Sequence, residues 1–206
     1  MIQGSDEWKA ARLGKVTASR VADIIAKTKS GASASRANYM AELIAERLTG
    51  TPTEGYTSRE MQWGTDNEGA ARSAYEWYRD AEVEQVAIVE HPFIKMSAAS
   101  PDGLVSIDGL VEIKCPNTAT HIETLLHGGV PLKYVTQMQW QMACTSRLWC
   151  DFVSFDPRLP EAMRLFVTRI ERDDKYILEL EAAVDQFLVE LTAKVAALTV
   201  KYAEAA

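Results

Sequence analysis

The sequence has no apolar run approaching the ~20 residues that a membrane-spanning helix needs, so we expect no transmembrane segment. Its first residues, MIQGSDEWKAARLG, include acids and have no apolar core, and we therefore expect no secretory signal and a cytoplasmic protein. Cysteine is scarce: Cys115, Cys144 and Cys150 form no CxxC pair. We interpret them as reduced thiols rather than as a disulfide or a zinc site.

Positive charge is also in short supply, since 22 Lys and Arg residues face 29 Asp and Glu residues and the formal net charge is −7. Taken alone, this balance argues mildly against a nucleic-acid ligand, because phosphate binding rewards a basic face. An acidic exterior with one basic channel is nevertheless compatible with DNA threaded into the protein. The basic residues do cluster early in the chain, at Lys9, Arg12, Lys15, Arg20, Lys27 and Lys29.

The length of 206 residues suffices for one domain with a substantial core and is short for two, so residues 1–206 are predicted to form a single domain. Hydrophobic residues make up 47% and charged residues 25%, which is ordinary for a globular protein. The patterns give helices, a strand cluster, a helix, two strands and a final helix. This order predicts an α/β or α+β fold with a central mixed β-sheet flanked by helices.

Helical periodicity predicts helices at about residues 18–26, 38–48, 59–79 and 131–145, and a long one from about residue 174. Thr17 is expected to be the N-cap of the first helix, and Gly50 stands just past the second. Residues 27–35 read as a loop. Four residues of the third helix are expected on its buried side: Trp63, Ala70, Ala74 and Trp77.

Short β-prone segments predict strands at residues 83–91, 93–99, 103–106, 110–114, 149–155 and 164–170. The third and fourth of these form a hairpin, because Asp108-Gly109 between them is a strong turn signal. Pro116 is expected to end the second arm.

This hairpin carries the most informative residues. Side chains alternate between the faces of a strand, so Glu112 and Lys114 point to one side while Val111 and Ile113 point to the other. A charged pair whose apolar neighbours face away is typical of a sheet edge at a cleft. Asp102 lies ten residues before Glu112, where the turn can bring the two carboxylates together.

Two carboxylates at one point repel each other, and a divalent cation resolves this conflict. Mg²⁺ prefers oxygen ligands and keeps several waters, and it would help to deprotonate one of them beside a bound phosphate. Lys114 could orient that water or hold the developing negative charge. Asp102, Glu112 and Lys114 therefore predict phosphodiester hydrolysis with Mg²⁺, for which Mn²⁺ could substitute.

Ordinary structural explanations stand beside this prediction. Asp102 could be only a turn residue, and Glu112 with Lys114 only a solvated cross-strand pair. The histidines have no metal-ligand spacing and are expected in surface or structural roles: His91, His121 and His127. The five tryptophans are expected in the core rather than as base-stacking platforms, whereas a residue near Met61 could wedge a duplex open.

The spacing PD-x9-EIK resembles the PD-(D/E)xK nuclease motif, and four further blocks extend the likeness over nearly the whole chain. Together they resemble the phage lambda exonuclease family of alkaline exonucleases, the YqaJ-like viral recombinases. The blocks besides SPDGL and EIKCP are WKAARLGKVTAS (residues 8–19), MQWGTDNEGAAR (61–72), YVTQMQWQM (134–142), and FDPR with IERDDKY (155–158 and 170–176). Five blocks in order are more specific than any one of them.

The resemblance implies a restriction-endonuclease-like fold and a Mg²⁺-dependent 5′→3′ exonuclease. Such an enzyme processively degrades one strand of linear double-stranded DNA from a 5′-phosphorylated end to 5′-mononucleotides. It leaves a 3′ single-stranded overhang for single-strand-annealing recombination. Family resemblance also implies a homotrimeric ring, a phage single-strand annealing protein as partner and the bacterial host cytoplasm as location. The C-terminal helix or the acidic surface is expected to contact that partner.

The resemblance also implies roles at the metal. Asp102 and Glu112 would be metal ligands, and the Ile113 carbonyl would complete the set that the protein supplies. Glu68, from the third helix, would bind a metal or a metal-bound water. Lys114 would be the catalytic lysine.

Further roles concern the substrate. Gln137 would orient the nucleophilic water, with Tyr134 nearby. Arg12 would bind the 5′-phosphate of the DNA end, since its planar fork suits bidentate contact. Ser19, at a helix start, could add a hydroxyl, and Lys29 falls where the family carries a basic residue near the end-binding site.

Several alternatives remain open. Glu68, Arg12 and Gln137 could be ordinary helix-surface residues, and the loop after Lys29 is poorer in basic residues than the family pattern. A site-specific endonuclease of the same fold is one rival function, against which a 5′-phosphate pocket at Arg12 argues. A DNA-end-binding module with a decayed site is another, against which the intact set of site residues argues.

Overall fold

A computed structural model describes residues 1–28, 31–53 and 58–203, and the predicted basic residue Lys29 lies outside these ranges. Its α-helices are α1 (Asp6–Arg12), α2 (Val21–Ile25), α3 (Ala34–Thr49), α4 (Arg59–Arg79), α5 (Thr118–His127), α6 (Leu132–Thr145) and α7 (Asp174–Ala203). Its strands are β1 (Val16–Thr17), β2 (Lys27–Thr28), β3 (Gly31–Ala32), β4 (Val83–Glu84), β5 (Val89–Glu90), β6 (Ser97–Ala99), β7 (Gly103–Val105), β8 (Gly109–Lys114), β9 (Trp149–Phe155) and β10 (Leu165–Glu171). Short 3₁₀ turns cover Ala18–Arg20 and Glu161–Met163.

The main sheet has five strands in the order β10-β9-β8-β7-β4. Strands β8 and β9 are parallel, whereas the other neighbours are antiparallel, so the sheet is mixed as predicted. A three-stranded sheet, β1-β6-β5, and the small β2-β3 pair accompany it. The charged strand β8 lies in the middle of the main sheet, so its predicted position at a sheet edge was wrong.

Helices cover both faces of the main sheet. On one face, α4 packs Ala71 and Tyr75 against Val111, Ile113 and neighbouring strand residues. On the other face, apolar residues of α6 pack against the strand residues that point away from α4. That second cluster comprises Leu110, Met138, Met142, Ala143, Cys150, Phe152 and Ile177. Period-two alternation thus gives each strand two buried faces, and the predicted α+β fold with helices flanking a mixed sheet is confirmed.

The first predicted helix differs most from the structure. Thr17 makes no side-chain cap, because it belongs to β1, which pairs with β6, and its backbone N–H donates to the Tyr39 hydroxyl over 3.1 Å. A 3₁₀ turn follows, and α2 begins only at Val21. The predicted loop at residues 27–35 contains β2, β3 and Ser33, whose hydroxyl caps α3 by accepting from Arg36 N.

Two short helices, α1 and α5, were not predicted. Each of them begins after a residue whose side chain caps the helix. Ser5 accepts a hydrogen bond from Trp8 N at the start of α1, and Asn117 accepts one from Thr120 N at the start of α5. The predicted helix end at Gly50 is confirmed, since Gly50 has a φ of 68° and donates to the Glu46 carbonyl over 2.9 Å.

The predicted buried side of α4 is right for Trp63 and Ala74, which pack against the core, and wrong for Ala70 and Trp77. Trp77 is 87% exposed and Ala70 is exposed, whereas Trp63 and Ala74 are only partly buried. The helix instead turns Ala71 and Tyr75 inward, where the Tyr75 hydroxyl donates to the buried Asp151 carboxylate over 2.9 Å. The expectation that all tryptophans are core residues is also wrong for Trp77.

The predicted hairpin is confirmed with a shifted turn. Residues 106–108 form the turn between β7 and β8, and Gly109 is already the first residue of β8. A Cβ at Gly109 would lie 2.0 Å from Cζ2 of Trp149, so the glycine allows the indole to lie against the strand. The predicted strands at 83–91 and 93–99 are reduced to β4, β5 and β6.

The long C-terminal helix is confirmed. Its inward residues recur at helical spacing and are buried, namely Ile177, Leu180, Val184, Phe187, Leu188 and Leu191. Two of the histidines have structural positions, because His91 and His121 are buried and hydrogen-bonded. No helix in the described part of the chain is long and apolar enough to cross a membrane.

Candidate active site

The hairpin brings Asp102 to the central strand as predicted. Its Oδ2 accepts a hydrogen bond from the Ile113 backbone N–H over 2.6 Å. Ile113 stands between Glu112 and Lys114, so this bond fixes the Asp102 carboxylate beside both residues. Lys114 in turn forms an ion pair with Oε1 of Glu112. The three residues predicted to carry the chemistry therefore form one cluster.

Glu112 is fully buried in the middle of the sheet, and helix α6 supplies its hydrogen-bond donors. Gln137 Nε2 donates to Oε1 of Glu112 over 2.6 Å, as its predicted place in the site requires. Gln141 Nε2 donates to Oε2 over 2.6 Å. Sequence reasoning missed Gln141, although it lies one helical turn beyond Gln137 and therefore on the same face of the helix.

Electrostatics at this cluster favour a cation. Burial raises the pKa of Asp102 well above its ordinary value, and the nearby Glu112 carboxylate raises it further. Burial opposes the charge of Lys114, but the Glu112 and Asp102 carboxylates outweigh it and raise the pKa of the lysine. Two acids and one lysine leave one negative charge uncompensated in a buried place.

These residues fit a divalent cation held by two carboxylates. Asp102 and Glu112 supply the hard oxygen atoms that Mg²⁺ prefers, and a bound cation would offset the repulsion between the two carboxylates, which adds to burial in raising the pKa of Asp102. Ile113 lies between them, where its carbonyl was predicted to add a ligand. No three Asp, Glu, His or Cys side chains within residues 1–28, 31–53 and 58–203 are arranged to hold a metal ion. Oε1 of Glu68 lies 2.5 Å from the Arg72 guanidinium, so its metal role stays a prediction.

Tyr134 lies beside the cluster of Asp102, Glu112 and Lys114. Its ring stacks on Phe152 with the centroids 5.7 Å apart, and Lys114 Nζ is 5.2 Å from the Tyr134 ring centroid. The phenol ring therefore covers one side of the lysine, next to Gln137 on the same helix.

A second site opens beside the first, in a cavity of about 420 Å³. Both residues predicted to bind the 5′-phosphate line it, Arg12 from α1 and Ser19 from the 3₁₀ turn. Ser19 is exposed but does not stand at the first turn of an α-helix, so the expected helix start there was wrong. Further basic residues of the early cluster also line the cavity: Lys9, Lys15 and Arg20.

Arg12 differs from the other cations of this cavity because, among the described residues, it forms no ion pair with an acid. Its guanidinium lies 4.1 Å from the Trp8 ring centroid and donates to Ser100 Oγ over 3.2 Å. Burial lowers the pKa of Arg12. By contrast, Lys15 is paired with Glu90, and Arg20 with two acids.

Ser100 is a second residue that sequence reasoning missed. Its hydroxyl accepts from Trp8 Nε1 over 3.0 Å as well as from Arg12, and it stands two residues before Asp102. In the sequence, a role for Ser100 was indicated by its position as the first residue of the SPDGL block.

The three cysteines are free thiols, and all three are buried. Cys115 directly follows Lys114, and burial raises the pKa of its thiol to about 12. A thiol with such a pKa is protonated at neutral pH and is a poor nucleophile. Hydrolysis by a covalent cysteine intermediate is therefore not favoured by this site.

Comparison with known proteins agrees with these features. The model of the YqaJ-like viral recombinase domain matches residues 7–147. Two crystal structures of the alkaline exonuclease LHK-Exo from Laribacter hongkongensis, one in complex with dAMP, are each 54% identical to this chain. Each alignment covers 98% of this chain and 100% of the other, with a TM-score of 0.92.

A more distant structure shares the fold. A phage related exonuclease from Haemophilus somnus 129PT is 19% identical, with a TM-score of 0.66 over 87% of this chain and 96% of its own. No curated protein matches the chain. The resemblance to alkaline exonucleases that the five sequence blocks indicated is confirmed.

Proposed function

Because the chain belongs to the YqaJ-like viral recombinase family, we propose that it is an exonuclease that degrades DNA from an end with a divalent metal ion. The observation that carries the proposal is the cluster of Asp102, Glu112 and Lys114 on one hairpin, with Gln137 donating to Glu112. Phosphodiester hydrolysis needs this combination of anionic ligands and a neighbouring cation.

Each residue has a distinct task in that reaction. Asp102 and Glu112 would hold Mg²⁺, or Mn²⁺ in its place, with the Ile113 carbonyl beside them. The bound metal supplies Lewis-acid polarisation of a phosphate oxygen and a more acidic water. Lys114 contributes positive charge where negative charge grows on the phosphoryl oxygens. Gln137 presents an amide that fixes the Glu112 carboxylate and is within reach of an attacking water.

Glu68 is proposed for a lesser task. Its carboxylate pairs with Arg72 on the same helix, one turn further along α4. The charge of Glu68 nevertheless acts on Asp102, where it contributes to the raised pKa. We assign Glu68 to a metal-bound water at the edge of the site rather than to direct coordination.

The proposed 5′→3′ direction of digestion is based on the second cavity. A 5′-phosphate bound by Arg12 and Ser19 would place the terminal phosphodiester towards Asp102, so that one nucleotide is released per cut. Arg12 has N–H donors left for this contact, because among the described residues its guanidinium donates one hydrogen bond, to Ser100. Tyr134 would border the strand beside Lys114. The dAMP in one LHK-Exo structure is a nucleoside monophosphate, the product class proposed here.

Assembly and partnership complete the proposal. A homotrimeric ring would keep the strand from escaping and make digestion processive, while the net charge of −7 would leave the outer surface acidic. A phage single-strand annealing protein would take the 3′ overhang. The end of α7 is the proposed contact, because it extends past the core with apolar side chains exposed, namely Val200 and Tyr202. Val200→Glu should weaken co-purification of the annealing protein without lowering nuclease activity, and unchanged co-purification would reject this contact.

The double variant Asp102→Ala/Lys114→Ala tests the catalytic assignment. It should retain DNA-end binding in Ca²⁺ and lose degradation in Mg²⁺ by at least about 10²-fold, the lower range for loss of a positioned catalytic group. The matched control is Lys95→Ala, an exposed lysine outside both sites. Full degradation by the double variant would reject the assigned site.

A rival function is a structure- or site-specific endonuclease with the same catalytic cluster. The cavity at Arg12, built around a cation with free donors, favours an end over an internal site. Cutting of circular DNA separates the two functions.

A further inference from the structure

We propose that Gln141 is a positioning residue that fixes the Glu112 carboxylate for metal binding. The metal part of this inference rests on the proposed function, whereas the contact with Glu112 does not. Gln141 is the last of the three glutamines in the YVTQMQWQM block, and no role was predicted for it.

The two oxygens of Glu112 are served by different donors. Oε1 is shared by Lys114 and Gln137, whereas Oε2 accepts from Gln141 over 2.6 Å. Within the described parts of the chain, Gln141 is the one side chain that donates to Oε2. The terminal torsion of a glutamate has a broad, twofold preference and is fixed only by its contacts. Without Gln141, the carboxylate is held through Oε1 alone, and the whole group can turn so that Oε2 leaves the position proposed for metal binding.

The amide of Gln141 cannot be turned round. Its Nε2 faces the carboxylate, and a flipped amide would place an oxygen against Oε2 of Glu112, where two acceptors repel. The side chain is fully buried, and its own Oε1 has no hydrogen-bond partner among the residues that the structure describes. A buried carbonyl without a donor destabilises the folded protein.

The apolar surroundings alone would not select a glutamine at this position. Met138 and Met142 flank Gln141 on α6, and both are fully buried in the apolar cluster beneath the main sheet. A methionine at 141 would have a similar length but would leave Oε2 of Glu112 without its donor. The amide of Gln141 therefore serves Glu112 rather than the packing of the core.

Gln139 provides a matched contrast on the same helix. It is also buried, but both ends of its amide are paired: Nε2 donates to the Glu171 carbonyl over 2.8 Å, and Oε1 accepts from Asp173 N over 2.9 Å. These bonds join α6 to the connection between β10 and α7. Gln139 is thus a structural residue, and substitution there should affect folding rather than metal binding.

The test compares Gln141→Met with Gln139→Met in the full chain. Calorimetric titration with Mn²⁺ gives the metal affinity, and thermal unfolding in EDTA gives the stability without metal. For Gln141→Met we expect a Kd for Mn²⁺ weakened about 10-fold, the lower range for outer contacts of metal ligands. In EDTA, the removal of the unpaired Gln141 oxygen is opposed by the loss of the donor to Oε2 of Glu112, so the Tm serves to show that the variant is folded. For Gln139→Met we expect a lower Tm and an unchanged Kd.

Activity adds a second readout. Gln141→Met should lower kcat at fixed Mg²⁺ and leave KM for DNA unchanged, with partial recovery at high Mg²⁺. Gln141→Asn, which keeps the amide but shortens its reach, should also weaken Mn²⁺ binding and serves if the methionine variant does not fold.

Two results would overturn the inference: a wild-type Mn²⁺ affinity in a folded variant at 141, or no Mn²⁺ binding by the wild type. Failure of the proposed function looks different, because it would leave the wild type binding Mn²⁺ with these differences intact but degrading no DNA.

Discussion

Arg12 donates a hydrogen bond to Ser100 Oγ over 3.2 Å, and Asp102 follows Ser100 by two residues. Two residues of extended chain span at most about 7 Å, so the cationic cavity and the carboxylate pair are neighbours. This link relates the proposed binding of a DNA end to the proposed position of cleavage. Ser100 therefore connects the two sites: its side chain is hydrogen-bonded to Arg12, and its backbone leads to Asp102.

Substitution of Arg12 should remove the preference for phosphorylated ends. For Arg12→Gln we expect KM for 5′-phosphorylated duplex to rise about 10- to 100-fold, since a charged hydrogen bond contributes about 1.5–3 kcal/mol. KM for 5′-hydroxyl duplex should change little. Lys9→Gln, from the same cavity, is the control and should have a small effect that disappears in salt, because Lys9 is exposed. Equal losses on both kinds of end would contradict the role of Arg12.

Asp102 makes the stability of the metal-free protein depend on pH. Its pKa in the folded state is raised, so the folded protein binds a proton more tightly than the unfolded chain does. The resulting stabilisation is present at low pH and is lost as pH rises through the folded-state pKa, by about 1.4 kcal/mol for each unit of the shift.

Asp102→Asn removes this ionisation and keeps an oxygen that can accept from Ile113 N. In EDTA, we expect the variant to be more stable than the wild type at alkaline pH and similar to it at acidic pH. Urea denaturation across this pH range measures the difference. A variant that is less stable at alkaline pH would show that the Asp102 carboxylate is not destabilised by its surroundings.

The hairpin itself can be tested at Gly109. Gly109→Ala should lower the free energy of unfolding by about 1–3 kcal/mol, because the added Cβ would overlap the Trp149 ring. Gly69→Ala is the control: Gly69 lies in α4 with no atom within 4 Å of an added Cβ, so alanine there should stabilise by about 0.5–1 kcal/mol. Guanidinium unfolding curves give both values. A neutral Gly109→Ala would mean that the indole does not lie against β8.

Sequence patterns predicted the hairpin and its chemistry because their signals are local. Asp108-Gly109 indicates a turn, and alternation along β8 separates Glu112 and Lys114 from Val111 and Ile113. The same alternation could not show that β8 is central, because that depends on pairing with β9, some forty residues further along the chain. A buried charged strand was therefore interpreted as an exposed edge.

Other features depended on tertiary contacts. Trp77 fits a helical apolar stripe, yet α4 rotates to bring Tyr75 over Asp151 and leaves Trp77 outside. Gln141 and Ser100 are common polar residues whose importance appears only when Glu112 and Arg12 are placed against them. Short helices such as α1 give too few residues for a periodic signal, although the cap at Ser5 was present.

We propose that this protein degrades DNA from a phosphorylated end. A nuclease assay tests this by incubating the purified protein with Mg²⁺ and three substrates: linear duplex with 5′-phosphate ends, the same duplex with 5′-hydroxyl ends, and a closed circle. We expect the phosphorylated duplex to lose one strand fastest, mononucleotides to appear, and the circle to survive. Cleavage of the circle, or no cleavage of any substrate, would contradict this proposal.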